Sequence, residues 1–360
     1  VFNLEWTRRS RLVALALVFA LAAAMRLPAL DASGFAEDEI DKLRAASAYG
    51  AGDFTADPEH PMLMKLAVAG SLRVGAIWNH TAGESGFPRL ADEILLRAPN
   101  AIAGALTAPI LFLLAAQLFT PATAAIAALL WAVDPNAIAV NRIGKEDSFL
   151  VLFLFAAAWL YERGKSVGRT DPAAAQRWFG WAGAAFGLMM ASKYMPYYVA
   201  LHILYFRAAE AHPGRNRPDK PRYFGAMAAA FLVANVAILL PANWAAITAY
   251  LAQNASSHLG YAVAGEVYVN RVGATPWGVP VWAYTAFLVT KVPLLTLVTA
   301  TVGLVYLLRQ RTGRGAVFAR VFLLFTLIPY SLVASKFMRY LLPVFAVIDI
   351  IAAAGLVAIL

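Results

Sequence analysis

Long runs of apolar residues, each near the length that crosses a lipid bilayer, dominate this chain of 360 residues. A spanning helix needs roughly 20 mostly apolar residues. Hydrophobic residues make up 61% of the chain and charged residues 14%, whereas soluble domains average about 45–50% and about 25%. The runs lack the alternation of a β-barrel, and lipid cannot satisfy the backbone groups of open structures. The sequence therefore predicts an all-α polytopic membrane protein.

We predict about ten spanning helices. Basic residues cluster before the first span and after the fourth, sixth and eighth, and all four clusters fall on one side of the membrane. The positive-inside rule makes that side, with the N-terminus, cytoplasmic. The formal net charge of +9 is thus explained by topology, and nucleic-acid binding is excluded. The predicted spans are Leu12–Leu30, Ile94–Phe119, Ala122–Val140, Ser148–Tyr161, Phe179–Ser192, Pro196–Phe206, Tyr223–Leu240, Pro280–Leu308, Val317–Val333 and Tyr340–Leu360.

Two long loops on the outer face interrupt this single predicted domain, 1–360. The first, 31–93, holds eleven acidic residues and contains two amphipathic or partly apolar segments, Glu37–Tyr49 and Pro61–Trp78. The second covers 241–279. Because the chain stops inside an apolar run at Leu360, we expect a C-terminal continuation. Long loops held on a rigid scaffold commonly carry function, so the candidate chemistry is sought there.

An acidic cluster, Glu37-Asp38-Glu39 with Asp41, follows the first span. Close carboxylates repel one another, and one with a raised pKa can act as a general base or bind a metal. A solvated helix N-terminus, where the helix dipole favours acidic residues, explains the same cluster equally well. The acidic pattern therefore indicates a site without establishing one.

A polar corner, Asp57-Pro-Glu-His-Pro61, enters the next apolar segment. Glu59 and His60 are candidates for metal or phosphate binding, and the alternative is a turn that caps the next helix. His258 in the second outer loop could complete a metal site with a carboxylate of the first loop, although a lone histidine is more often structural.

Basic residues also lie near the outer ends of several spans. Charges at such places usually face a cavity or a partner, and several of them around one cavity suit a phosphate or pyrophosphate. Snorkelling to the interface is the alternative for about half of them. The chain has no Gly-rich phosphate loop, so a nucleotide donor has no support. These basic residues are Arg142, Lys145, Lys193, Arg271, Lys291, Lys336 and Arg339.

The order of short motifs resembles a family of membrane enzymes. The motifs include Phe35-Ala-Glu-Asp-Glu39, Glu59-His-Pro-Met-Leu-Met-Lys65, Arg142-Ile-Gly-Lys-Glu-Asp147, His258-Leu-Gly-Tyr261 and Ser335-Lys-Phe-Met-Arg339. Their order is similar to that of the integral-membrane GT-C glycosyltransferases of the protein O-mannosyltransferase type (glycosyltransferase family 39) and of the lipid A aminoarabinose transferases. The resemblance implies a GT-C-like helix bundle with two long outer-face loops.

The resemblance also implies a function, namely inverting transfer of a mannose-like sugar from a polyprenyl-phosphate donor to a protein, lipid or glycan acceptor. The first-loop acidic pair of the family matches Asp38 and Glu39, with Asp38 as the base. His60, Arg271, Lys291 and Arg339 are expected at the donor phosphate. By similarity to the aminoarabinose transferases, Glu59 and His258 are expected to hold a divalent metal.

The expected location is the plasma membrane of a bacterium or archaeon, with the active site on the outer face. Three other functions stay open at this point. One is a transporter or flippase of lipid-linked sugars, although the chain shows no convincing internal repeat. The second is a non-catalytic assembly or scaffold subunit, although the acidic pair is present. The third is a membrane polymerase or ligase acting on lipid-linked oligosaccharides.

Overall fold

A computed structural model describes residues 7–36, 38–195, 197–201, 204–205, 217–253, 257–263, 266–271, 280–310, 313–332 and 336–360. The helices described here are α1 Arg8–Arg26, α2 Glu39–Gly50, α3 Leu63–Ser85, α4 Asp92–Leu118, α5 Pro121–Val133, α6 Pro135–Asn141, α7 Asp147–Val167, α8 Pro172–Met190, α9 Lys220–Ala234, α10 Pro241–Gln253, α11 Ala283–Lys291, α12 Leu294–Arg309, α13 Arg314–Leu332 and α14 Leu342–Ile359. Short 3₁₀ turns, Val236–Leu239 and Met338–Leu341, precede α10 and α14.

Local sequence signals explain where several helices begin. Thr120 and Asp171 cap the N-termini of α5 and α8 by accepting hydrogen bonds from backbone N–H groups, and a proline follows each cap. Asp134 caps α6 in the same way. A capping oxygen satisfies a free N–H of the first turn, and a proline at that position has no N–H to leave unsatisfied.

Helix packing builds a bundle around α4, α5, α7 and α14. Helix α4 packs on α1, α5 and α7, α7 packs along α8, and α14 lies against α5 and α12. A large apolar core fills the space between these helices. A smaller apolar cluster, which includes Tyr49, Met62 and Leu96, lies where α2, α3 and α4 meet. It ties the first outer loop to the bundle.

By length and composition, three helices in the described ranges can cross a membrane: Asp92–Leu118, Arg314–Leu332 and Met338–Ile359. Two predicted spans are broken. The span 122–140 is bent by 57° between α5 and α6, and the span 280–308 is bent by 119° between α11 and α12. Counting each bent pair as one span raises the number to five, and the count of ten stays a prediction. Part of the predicted span 196–206 lies outside the described residues.

The two outer loops contain more regular structure than the sequence predicted. The expected amphipathic helix of the first loop is α2, and its partly apolar segment is the 23-residue α3. In the second loop, α10 leads to an antiparallel hairpin of β1, Ser257–Val263, and β2, Glu266–Arg271. The predicted all-α fold class is confirmed, and this hairpin is an addition that the sequence analysis did not predict. Its sequence signal is a pair of short segments rich in β-branched and aromatic residues around Ala-Gly.

Helices α12 and α14 approach so closely that glycine is required at their contact. A Cβ atom added at Gly303 would lie 2.0 Å from the carbonyl oxygen of Ile351, and one at Gly355 would lie 2.0 Å from that of Thr299. Small residues allow such close backbone approach between helices in membranes.

We predict that Gly303→Ala destabilises the protein by about 1–3 kcal/mol, the usual cost of overpacking, because the clash is with backbone that cannot rotate away. The matched control is Gly225→Ala in α9, where an added Cβ meets nothing within 4 Å. Thermal unfolding of the purified variants in detergent measures both. Equal midpoints for Gly303→Ala and Gly225→Ala would contradict the close contact.

Candidate active site

The acidic pair at the start of α2 is divided between two environments. Asp38 is the N-cap residue, and its side chain makes no capping hydrogen bond. Its carboxylate is 44% exposed, whereas the carboxylate of the next residue, Glu39, is fully buried. Of the two adjacent acids, only Asp38 is therefore accessible to solvent.

Glu39 is fixed from every side. Arg97 of α4 donates from Nε to Oε1 at 2.9 Å and from Nη2 to Oε2 at 2.6 Å. The backbone N–H groups of Gly144 and Ala36 donate to the same carboxylate at 2.6 Å and 2.7 Å. Burial alone would raise the pKa of Glu39, but these four hydrogen bonds and the Arg97 charge lower it. The Glu39 carboxylate is thus held in one orientation by donors on both of its oxygens.

The other donors of Arg97 hold the loop before α2. They donate to the carbonyl oxygens of Leu30, Ser33 and Gly34 at 2.6 to 2.9 Å. One arginine therefore fixes both the chain that leads into Asp38 and the carboxylate beside it.

Lys145 is the direct partner of Asp38. Its ammonium forms an ion pair with Oδ2 of Asp38 and is itself buried. Asn100 of α4 fixes the backbone beside it by donating to the carbonyl oxygens of Ile143 and Lys145 at 2.5 and 2.6 Å. Burial acts to raise the pKa of Asp38, but the Lys145 hydrogen bond and charge, helped by Arg339 and Lys42, outweigh it and lower the pKa. Asp38 is therefore ionised at neutral pH.

A second group of charges lies behind this pair and alternates in sign. Lys42 of α2 contacts Asp57 at 2.7 Å and Glu146 at 3.0 Å, and Lys65 of α3 contacts Asp57 at 3.2 Å. His60 Nδ1 lies 3.4 Å from Asp57 Oδ1. Burial acts to raise the pKa of Asp57, yet His60 and the two lysines lower it well below its usual range. This group joins α2 and α3 to the start of α7.

A third group leads toward a cavity. Asp147, at the first position of α7, contacts Lys193 at 2.7 Å and Arg339 at 3.6 Å. Lys193 lies 4.3 Å from the ring centre of Tyr340. Arg339, 23% exposed, also lines a cavity of about 320 Å³ with Asn136, Ile143 and Phe337 among its walls. Arg339 is thus the cation of this group that faces an open space.

The predicted site residues divide into three groups. Asp38, Glu39, His60 and Arg339 belong to the connected charge clusters described above. Lys291 is exposed at the end of α11, and its carbonyl oxygen accepts a hydrogen bond from Asn136 at 3.0 Å, so its backbone lies near the same cavity. His258 lies in β1 and Arg271 in β2, but their side chains are outside the described part of the chain.

The structure adds site residues that the sequence reasoning did not assign. Arg97 holds the loop before Asp38, and Lys42, Asp57 and Glu146 join α2 to the residues that precede α3 and α7. Lys145 and Lys193 were recognised as cations near membrane ends, yet without their acidic partners. The available signal was the repeated occurrence of charged residues next to apolar segments, but their pairing depends on contacts between distant parts of the chain.

One group of residues in the described ranges has the composition of a metal site. Ligand atoms of Asp57, Glu59 and His60 lie within 4.8 Å of one another. Asp57 already contacts the ammonium groups of Lys42 and Lys65, which compete with a cation for its oxygens. These residues therefore fit a divalent metal poorly. The predicted pairing of Glu59 with His258 stays a prediction, because it involves a side chain outside the described ones.

Comparison with known proteins relates this architecture to membrane glycosyltransferases. Residues 90–239 match the family model described as "Dolichyl-phosphate-mannose-protein mannosyltransferase". No curated protein sequence matches the chain significantly.

Solved structures give a broader match. ArnT from Cupriavidus metallidurans in the apo state superposes with a TM-score of 0.69 at 15% identity over 96% of this chain. The same protein bound to undecaprenyl phosphate gives 0.65 at 16% identity, also over 96% of this chain. An oligosaccharyltransferase from Archaeoglobus fulgidus, tethered with an acceptor peptide, gives 0.61 at 13% identity over 98% of this chain and 50% of its own.

These superpositions show the GT-C fold of the ArnT and oligosaccharyltransferase structures, which confirms the predicted resemblance at the level of the fold. The chain spans 59% of the length of the ArnT structures. Together with the apolar helices, the shared fold identifies an integral membrane protein.

We predict that Glu39→Gln lowers the free energy of unfolding by about 3–5 kcal/mol, the typical cost of breaking a buried ion pair by removing one partner. The amide nitrogen of glutamine would face an N–H donor of Arg97, Gly144 or Ala36 and leave Arg97 uncompensated. Asp41→Asn is the matched control on the same helix, because the side chain of Asp41 is 62% exposed. Thermal or denaturant unfolding measures the difference, and a wild-type midpoint for Glu39→Gln would refute the anchoring role.

Proposed function

We propose that the chain transfers a sugar, mannose or a similar hexose, from a polyprenyl-phosphate donor to an acceptor hydroxyl on the outer face of the membrane. The observation that carries this proposal is Asp38, a partly exposed carboxylate that is paired with the buried Lys145 and feels the charge of Arg339, which itself lines a cavity. An ionised carboxylate and nearby cations are what deprotonation of a hydroxyl and departure of a phosphate require.

The nature of the donor is supported by the comparisons. One ArnT structure is described as bound to undecaprenyl phosphate, and one Archaeoglobus fulgidus oligosaccharyltransferase structure as a complex with a dolichol-phosphate. The family model that matches residues 90–239 is described by a dolichyl-phosphate-mannose donor. A lipid-linked donor also suits a chain whose spanning helices give the donor's prenyl tail access from the bilayer.

The proposed reaction is a single in-line displacement. Oδ2 of Asp38 is bound by Lys145, whereas Oδ1 receives no hydrogen bond from the described residues, so Oδ1 is the oxygen that takes the acceptor proton. The acceptor oxygen forms a bond to the anomeric carbon while the bond from that carbon to the phosphate oxygen breaks. The electron pair leaves with the lipid phosphate, and the anomeric configuration inverts.

Charge on the departing phosphate is stabilised by cations near the cavity. Arg339 is the best placed of the described ones, because its contact with Asp147 is long at 3.6 Å and leaves guanidinium N–H groups available. Lys193 shares the same carboxylate, and His60 lies 3.4 Å from Asp57. Arg271 and Lys291 complete the proposed set from the second outer loop and the end of α11.

Glu39, Arg97 and Asn100 position this machinery without touching the substrates. They fix the backbone on both sides of the Asp38–Lys145 pair. The acceptor is a protein, a lipid or a glycan, and the labelled product of the transfer assay described below identifies which of these it is. A divalent metal at Glu59 and His258 is a separate proposal, and no step of the displacement passes through it.

We predict that Asp38→Asn lowers the rate of transfer by about 10²–10⁴-fold, the usual contribution of a general base, because an amide cannot take the acceptor proton. Purified protein in lipid is assayed with radiolabelled polyprenyl-phosphate-mannose and a membrane and peptide extract. Other polyprenyl-phosphate sugars are run in parallel.

The matched control is Asp41→Asn, which removes an exposed carboxylate three residues away and is expected to keep the wild-type rate. Donor binding by Asp38→Asn should match that of the wild type, and a cooperative thermal transition shows that the variant is folded. Near-normal transfer by Asp38→Asn would remove Asp38 as the base. Absence of transfer by the folded wild type from every donor would overturn the glycosyltransferase proposal.

We predict that Lys145→Met shifts the acid limb of the pH–rate profile to higher pH. The reaction needs ionised Asp38, so the rate falls as pH drops through the pKa of this group. Lys145 holds that pKa below the ordinary value, and without its hydrogen bond and charge the burial of Asp38 raises the pKa. Lys145→Arg keeps the positive charge and should keep the limb near its wild-type position. An unmoved limb in Lys145→Met would contradict the assignment.

A further inference from the structure

A second cavity, of about 300 Å³, lies where α5, α6, α12 and α14 meet, and none of its lining residues belongs to the Asp38 cluster. Most of its walls are apolar, but two carboxylic acids, Asp134 and Asp349, line it together. The remaining lining includes Pro135, Val292, Pro293 and Phe345. An ionisable side chain inside a membrane-spanning bundle is costly and usually marks a site of function.

Both breaks in the spanning helices meet at this cavity. Asp134 occupies the 57° bend between α5 and α6, and Val292 and Pro293 occupy the 119° bend between α11 and α12. Asn136 links the bends by donating to the carbonyl oxygen of Lys291 at 3.0 Å. Non-helical backbone at membrane depth is tolerated where it lines a cavity, and the C-terminal ends of half-helices carry partial negative charge. Helices α5 and α11 both end here.

Asp349 is the acid with unused binding capacity. It is the one charged residue in the sequence of α14 and is 3% exposed. Its Oδ2 is buried and has no hydrogen-bond partner among the described residues. Asp134, 8% exposed, uses Oδ1 to cap α6 by accepting from the N–H of Asn136 at 2.9 Å. The cavity therefore presents a buried carboxylate oxygen for which the described chain supplies no donor.

Arg26 of α1 compensates only part of this charge. Its guanidinium donates to Oδ1 of Asn141 and to the carbonyl oxygens of Ala22, Trp131 and Ala132, all of which are neutral. No ion pair within 4.0 Å joins it to a described carboxylate, although its charge acts on both Asp134 and Asp349. When both acids are ionised, as a bound cation requires, two carboxylates and one guanidinium carry a net charge of minus one in a cavity with apolar walls.

We propose that this cavity binds one monovalent metal cation, of the Na⁺ or K⁺ class, between Asp349 and Asp134. A single positive charge brings the group to neutrality, whereas a divalent ion would leave an excess charge in a low-dielectric setting where desolvation is expensive. The two carboxylates would repel a phosphate, so this cavity and the proposed donor-phosphate site bind ions of opposite charge. The oxygen ligands and the negative helix ends match the chemistry of a hard cation.

Equilibrium binding of ²²Na⁺ to the purified full-length chain tests the proposal, with choline chloride holding the ionic strength constant. The wild type should bind about one ion per chain in a saturable manner, and unlabelled NaCl should displace it. Asp349→Asn should bind at least about tenfold more weakly, since it removes the unpaired charge with little change in volume. Asp92→Asn, at an exposed position of α4, is the matched control and should bind like the wild type.

Thermal unfolding gives a second readout that does not depend on sugar transfer. Replacing choline chloride by NaCl or KCl should raise the midpoint of the wild type and of Asp92→Asn by about 2–4 °C, and should leave Asp349→Asn unchanged. Asp134→Asn keeps a capping side chain and should also lose the response. If neither salt shifts the folded wild type more than Asp349→Asn, or if only pH does, the site holds a proton and the proposal is wrong.

Discussion

The buried ion pair between Glu39 and Arg97 is the interaction on which the arrangement of the candidate site depends. It connects α2 to α4, and its remaining hydrogen bonds reach the loop after α1 and the backbone of Gly144. Removing two charges from water is expensive, and the pair is tolerated because each oxygen and each guanidinium nitrogen has partners. The ion pair fixes the position of Glu39 and of the backbone at Gly144, and these residues are the neighbours of Asp38 and Lys145 in the chain.

A network of side chains with alternating charges stabilises the rest of the site in the same way. Lys42, Lys65, Asp57, Glu146 and Asp147 are all nearly inaccessible to solvent, yet each lies beside a group of opposite sign. Such a network holds several helices in one arrangement that apolar packing alone would not specify. It also keeps Asp38 ionised within a partly buried site, because the cations outweigh the cost of removing its carboxylate from water.

Elements governed by local patterns were predictable from the sequence. The spanning helices α4, α13 and α14 follow from their apolar runs, and α2 from its amphipathic pattern. The acidic pair and Arg339 were found as candidate site residues because charge is conspicuous in such an apolar chain. The different environments of Asp38 and Glu39 were beyond sequence reasoning, since they depend on Arg97, which lies 58 positions from Glu39. The bends at Asp134 and at Val292–Pro293 were missed because a proline at the start of a helix and one within a span look alike in an apolar run.

The seven-residue helix α6 connects the second cavity, lined by Asp134 and Asp349, to the loop that carries Lys145. Asp134 caps the first turn of α6 at the second cavity, and α6 ends at Asn141, next to the loop that carries Lys145. Arg26 holds Asn141 by a 2.9 Å hydrogen bond, and Asn141 donates to Ser148 of α7 at 2.9 Å. A Cβ atom at Gly104 would lie 2.3 Å from the Asn141 side chain, so α4 leaves that side chain little room to move. The guanidinium that offsets the acids of the cavity therefore also fixes the end of α6 from which the Lys145 loop departs.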